Sequence, residues 1–179
     1  QKEKFLKPLL NGEKRICFSM TEKAAGADAT GMQTTAVKDG NENYILNGEK
    51  WFSSSASVAD MALVMAKTDP NAPRHKQYST FIVELPNPGY QIKRNVKNMA
   101  IEGPHYDKLS GGHSEIVIKD LKVPADNLLG GEDTVLDEPA ERRRAGQSPG
   151  VPADVLARDA HAGGFAVKTV EIVQMRNQH

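Results

Sequence analysis

From Ile16 onward the chain divides its apolar residues into short runs rich in β-branched and aromatic side chains, bounded by turn formers at spacings of roughly ten to fifteen residues. Runs of that length cannot make long helices, so the fold must be built from strands. Several consecutive strands without long helices between them predict a closed or nearly closed β-barrel. The clearest unit is Met32 to Asn47, where Thr34, Thr35 and Val37, then Tyr44, Ile45 and Leu46, flank Asp39-Gly40-Asn41. Asp-Gly supplies the positive φ angles of a tight hairpin. Met61 to Thr68 reads as a strand closed by Asp69-Pro70, and Tyr78 to Leu85 as another closed by Pro86-Asn87-Pro88-Gly89. Tyr90 to Lys93 and Glu115 to Lys119 alternate, as strands with one buried and one wet face do.

The flanks read differently. Lys2 to Glu13 carries Phe5, Leu6, Leu9 and Leu10 in a short helix-like pattern stopped by Pro8 and again by Asn11-Gly12, and residues 1–15 are expected to be a linker from a preceding helical domain. Residues 16–131 form the β-domain. Residues 132–179 are expected to be a divergent, irregular tail open to disorder: Asp133 to Arg158 is dominated by Ala, Arg, Pro, Asp and Gly, and only Phe165 to Met175 regains amphipathic character. A hydrophobic content of 39% and an aromatic content of 6% fit a chain in which one part contributes little to a core. The sequence opens on Gln1 without a signal-type or transit-type segment, so it reads as a piece of something longer.

Lys plus Arg (23) equals Asp plus Glu (23), which removes any broad electrostatic reason to expect nucleic acid. The apolar runs, such as Met61 to Ala66, fall far short of the ~20 residues that span a bilayer, so no transmembrane segment is expected. Five histidines lack zinc-type spacing and a single cysteine completes no metal set, so no metal is expected. Hydrolase elbows, dinucleotide glycine fingerprints and phosphate loops are absent.

Two polar stretches interrupt the strand pattern. Phe18 to Asp28 runs from an apolar strand into small residues that let backbone amides approach a ligand, although composition favours a turn in which Asp28 or Thr30 caps a short helical segment. Asn47 to Ala56 places Ser53, Ser54 and Ser55 directly after Trp51 and Phe52. That pairs a stacking surface with hydroxyl donors, as a planar, polar-edged cofactor requires, or it is an ordinary strand with core aromatics. Arg74-His75-Lys76 is either a phosphate-meeting cluster or an exposed turn, and His113 is either a channel residue or a surface-turn histidine. Cys17 reads as a buried strand residue.

Thr21-Glu22, Gly26, Asp28, Asp39-Gly40, Tyr44, Leu46-Asn47-Gly48, Lys50, Phe52 and Ser54 occur in an order that closely resembles the middle β-domain of flavin-dependent acyl-CoA dehydrogenases. Thr68-Asp69, Phe81 to Glu84, Pro88-Gly89 and Asp120 to Gly130 extend the resemblance, which covers Gln1 to Glu132. Trp51-Phe52-Ser53-Ser54, Arg74-His75-Lys76-Gln77 and Gly111-Gly112-His113 are similar to the subfamily whose eukaryotic members can carry a kinase-like domain.

The resemblance implies a mainly β fold with a short helical N-terminal linker, and FAD as cofactor. It implies oxidation of the α,β C–C bond of an acyl-CoA thioester, with electrons passing to an electron-transfer flavoprotein. It implies flavin contacts from Phe18, Met20, Thr21, Gly26 and Ala27, then from Phe52, Ser53 and Ser54, and substrate contacts from Ala27, Arg74 and His113. Phe52 would pack on the flavin face and the Ser54 hydroxyl would lie near the hydride-accepting nitrogen. A homo-oligomer is implied, in mitochondria or peroxisomes if the source is eukaryotic and otherwise in the cytoplasm. Lys23 and Ala24 replace the family's usual Pro and Gly, Ala27 a Ser that helps hold the CoA arm, and Phe52 a Trp. After Gly131-Glu132 the resemblance stops where a helical domain bearing the catalytic carboxylate is expected, so no catalytic base is assigned. The chain by itself is expected to be inactive and to bind FAD weakly at best. The alternative function is a catalytically inactive β-barrel fragment serving as an assembly module, and an apolar-ligand barrel ranks behind both.

Overall fold

The computed structural model describes residues 1–97 and 111–132. The expectations for the tail beyond Glu132, including Phe165 to Met175, lie outside the described residues. Among the described residues eight strands carry the fold: β1 (Ile16–Ser19), β2 (Thr35–Asp39), β3 (Asn43–Ser54), β4 (Met61–Lys67), β5 (Tyr78–Glu84), β6 (Tyr90–Asn95), β7 (His113–Pro124) and β8 (Leu128–Leu129). The hairpin falls where the sequence places it. β2 and β3 pair antiparallel from Thr35↔Asn47 to Asp39↔Asn43, and Gly40 turns the chain at φ +67°.

The sheet order is β6-β7-β3-β2-β4-β5-β8, with β1 pairing in parallel to β4. The expected closure into a barrel is therefore corrected to an open sheet. β8 has two residues, too few to complete a wall, and β6 ends the other side with Gln91, Lys93 and Arg94 exposed. Charged edge residues of this kind discourage further pairing. The two halves of the sheet meet through the single Thr35↔Lys67 bridge. Between them lies one apolar cluster in which the Tyr44 and Phe81 rings stand 4.9 Å apart, with Leu46, Val64, Ile116 and Leu121 fully buried.

Three local expectations also change. Pro8 does not stop the N-terminal helical pattern: a wide helical turn at Lys2–Leu6 continues into α1 (Lys7–Leu10), where Pro8 occupies the first turn and lacks only an N–H that needs no partner there. Phe5 of this arm packs on Met61 and Ile82. In β6 only Tyr90 is buried, and Ile92 is 43% exposed, so the alternation there does not mark a core face. Asp28 caps no helix; its carboxylate accepts from the Thr30 N–H and hydroxyl in a turn.

Tyr90 reaches across the core to bind β1 and β3 together. Its hydroxyl lies 2.8 Å from Ser19 Oγ, which lies 2.9 Å from Ser53 Oγ, and Cys17 Sγ is 3.7 Å from the phenol oxygen. Burial pushes both the Tyr90 hydroxyl and the Cys17 thiol above their ordinary values, so both remain protonated donors at neutral pH. Tyr90→Phe removes one buried hydrogen bond while the two serines keep each other. The expected loss is about 1 kcal/mol in urea unfolding, and an unchanged midpoint would show that the network contributes nothing.

Candidate functional site

β3 runs through the second polar stretch as far as Ser54, and what singles out that stretch is a bulge. Lys50 pairs with Ile116, but Ser53 pairs with Ser114, so β3 holds one residue more than β7 across Trp51-Phe52. Phe52 takes φ +56°, and the side-chain alternation reverses. Ser53 turns inward onto Ser19 with no exposure, while Phe52 turns outward and is 45% exposed. Of the ordinary-strand alternative, the strand holds but the core aromatics do not. The Ser53 hydroxyl is committed to the core, which leaves only its backbone for a ligand.

Ser54 comes next, half-buried, and its Oγ lies 2.7 Å from His113 Nδ1 across the β3–β7 ladder. The Phe52 ring stands edge-on to both Trp51 and His113, at centroid distances of 5.4 and 6.3 Å. Trp51 is flanked by two cations, Lys23 Nζ and Arg94 Cζ, each 5.5 Å from its ring.

The first polar stretch joins the second directly. The Trp51 N–H donates to the Thr21 carbonyl at 2.7 Å, so Met20-Thr21 runs beside Trp51-Phe52 although some thirty residues separate them. The Thr21 hydroxyl makes no hydrogen bond among the described residues. Phe18 is half-buried against the Met32, Met65 and Tyr78 cluster, and Gly26 and Ala27 are exposed in the following turn. Arg74 lies in an exposed turn and is ion-paired at 2.7 Å with Asp28. Ala27 and Arg74 thus share one surface region, and His113 belongs to the Phe52–Ser54 corner.

Beneath this junction lies a pair that motif reading passed over. The Lys50 ammonium, 1% exposed, lies 2.8 Å from Glu22 Oε1 and 3.0 Å from the Met20 carbonyl. The Glu22 carboxylate also accepts from the Gln33 and Thr34 N–H groups at 2.5 and 3.0 Å. Burial alone would raise the Glu22 carboxyl, but the Lys50 charge and the two amides outweigh it and hold it below the usual carboxylate range. The signal was present in the phase of β3. Tyr44, Leu46 and Lys50 all occupy the inward positions, and a lysine there needs a buried anionic partner. An open depression of about 350 Å³ beside the pair is lined by Ala24, Gln33, Gly48 and Val117. It includes neither Phe52 nor Ser54, so it is separate from the surface singled out above.

Residues 17–119 match the family described as acyl-CoA dehydrogenase, middle domain. The chain belongs to the acyl-CoA dehydrogenase family. It is 40% identical over 136 residues to Gallus gallus acyl-CoA dehydrogenase family member 11, covering 74% of this chain and 17% of that protein. It is 41% identical over 130 residues to the caffeyl-CoA reductase-Etf complex subunit CarC of Acetobacterium woodii, covering 73% of this chain and 32% of that one. Among solved structures, butyryl-CoA dehydrogenase from Megasphaera elsdenii superimposes with a TM-score of 0.67 at 39% identity, over 75% of this chain and 33% of that chain. The chain therefore spans a third or less of the length of these acyl-CoA dehydrogenase relatives.

Proposed function

We propose that this chain is the flavin-bearing β portion of an acyl-CoA dehydrogenase that oxidises an acyl-CoA thioester to the 2-enoyl thioester. Residues 1–15 serve as a linker and residues 16–131 as the middle domain. The observation that carries the reading is the outward turn of Phe52 beside Ser54, next to a Thr21 hydroxyl that no described residue engages. An aromatic face flanked by hydroxyls fits a planar ring with a polar edge. The residues present therefore fit FAD, which when bound supplies the acceptor for the hydride leaving the β-carbon.

The protein's own part is to hold and orient that ring. Phe52 offers a stacking face, Thr21 and Ser54 offer hydrogen bonds at the ring edge, Met20 adjoins Thr21, and Gly26 and Ala27 offer backbone amides from the exposed turn that follows. Ser53 contributes through its backbone and Phe18 by packing beneath. Arg74, exposed next to Ala27, suits the phosphates of the CoA arm once it exchanges Asp28 for them. The base that removes the α-proton is left unassigned. A flavoprotein electron acceptor is the proposed partner, in keeping with the Etf complex named for the Acetobacterium woodii relative.

Titrating FAD with the purified chain and following flavin fluorescence tests the reading. Weak but saturable quenching is expected, reduced at least about fivefold in affinity by Thr21→Val/Ser54→Ala, the effect of losing a hydrogen bond worth ~1 kcal/mol. Absence of quenching at any attainable concentration would overturn the flavin reading and leave the assembly-module alternative standing.

A further inference from the structure

Four residues with left-handed backbone surround the Ser54–His113 pair: Phe52 (φ +56°), Ser55 (+64°), Gly111 (+74°) and Gly112 (+58°). Non-glycine residues hold such angles only where their surroundings over-determine them. Here the surroundings do. The Ser55 N–H donates to the Gly112 carbonyl at 2.8 Å, and the Ser57 hydroxyl donates to the Gly111 carbonyl at 2.8 Å. A Cβ on Gly111 would stand 2.9 Å from Ser55 Cα. The two chain segments are locked together, which fixes the 2.7 Å approach of Ser54 Oγ to His113 Nδ1.

A serine hydroxyl has one proton, and its neighbour decides where that proton points. A bare Nδ1 accepts it, and Ser54 then shows only lone pairs to the outside. An Nδ1 that carries hydrogen donates to Oγ instead, and the serine proton turns away from the ring. His113 Nε2 makes no hydrogen bond among the described residues, and the Ser54 contact admits either tautomer, so the ligand that Ser54 meets selects between them.

We propose that His113 is a positioning residue whose Nδ1–H donates to Ser54 Oγ and so holds Ser54 as a hydrogen-bond donor toward the edge of a planar ligand lying on Phe52. This rests on the flavin reading above. An oxidised isoalloxazine offers nitrogen and carbonyl acceptors at its edge, which a donor serine satisfies; the other tautomer would set lone pair against lone pair.

The test uses the 179-residue chain with ¹⁵N-labelled imidazoles. Long-range ¹H–¹⁵N spectra report which nitrogen of His113 carries hydrogen, and FAD is then titrated to millimolar concentration with chemical shifts as the readout. The expected result is an Nδ1-protonated His113 whose signal moves on adding FAD. His113→Leu and Ser54→Ala should each weaken binding about fivefold, and the double variant no further, because one residue acts through the other. His113→Asn, which places an amide N–H near the Nδ1 position, should restore binding. An Nε2-protonated His113 in the wild type, additive losses, or FAD binding indifferent to His113→Leu would each overturn this inference alone. A wild-type chain with no FAD-dependent shift would overturn the flavin reading and this extension together.

Discussion

Glu22→Gln is expected to destabilise the chain by about 3–5 kcal/mol in urea unfolding, the cost of leaving one member of a buried ion pair without its counter-charge. The Lys50 ammonium is sealed from solvent, and without the carboxylate it would face neutral acceptors alone: the introduced amide oxygen, the Met20 carbonyl and the Met32 sulfur 3.8 Å away. Glu22 also holds the Gln33 and Thr34 amides, so its loss loosens the loop that leads into β2 as well as the pair itself. A loss below about 1 kcal/mol would mean that the pair contributes no more than a surface contact. The pH dependence separates charge from packing. Because the Glu22 carboxyl titrates below its ordinary value in the folded chain, its contribution is complete above about pH 4.3, the unfolded value, and disappears as pH falls through the folded one. Glu22→Gln should remove that acid slope. Burial lowers the Lys50 ammonium below its usual value, so the folded chain binds fewer protons there than the unfolded chain and stability rises toward alkaline pH. With the opposing carboxylate gone, that rise should be steeper in Glu22→Gln.

Gly48→Ala should cost about 3 kcal/mol or more, from steric overlap added to backbone strain. A Cβ there would lie 2.4 Å from Thr34 Oγ1 and 2.7 Å from Thr34 Cα, and the backbone atom cannot rotate away. Gly48 also has φ +154°, in a register shift where β7 holds the extra residue. Gly26→Ala is the control. Its φ is +56° but its Cβ would meet nothing within 4 Å, so it should show only the left-handed penalty of about 1–2 kcal/mol. Equal losses in the two variants, measured by urea unfolding, would show that the close approach of β3 to Thr34 does not matter. Thr34 links the two predictions, since its N–H holds Glu22 and its hydroxyl donates to the Glu49 carbonyl at 3.2 Å. Both variants should therefore disturb the junction that sets Thr21 beside Trp51.

The parts legible in the sequence were those governed by local chemistry. Asp39-Gly40 set the hairpin turn, and the runs from Met61 and Tyr78 became β4 and β5 within a residue of their expected ends. Cys17 is buried as a small apolar strand residue should be. Ordered motifs spread from Thr21 to Gly130 indicated the family and the two stretches that meet at Trp51 and Thr21. Other features depend on partners distant in the chain. Closure of the barrel failed because strand count does not say which edges carry exposed charge, and Lys93 and Arg94 lie on such an edge. The Ser54–His113 contact spans 59 residues, and no local pattern announces it.

The bulge at Phe52 shows the division most clearly. By itself the sequence determined that Tyr44 to Leu46 has strand chemistry and that an aromatic pair precedes three serines. Strict alternation from Lys50 would turn Phe52 into the core and Ser53 out to water. Only the tertiary structure reversed this, because β7 offers one residue fewer across that stretch and the buried Ser19–Tyr90 pair accepts Ser53 in place of the ring. One unpaired residue inverts the two faces of a strand, and register belongs to the pair of strands rather than to either one alone.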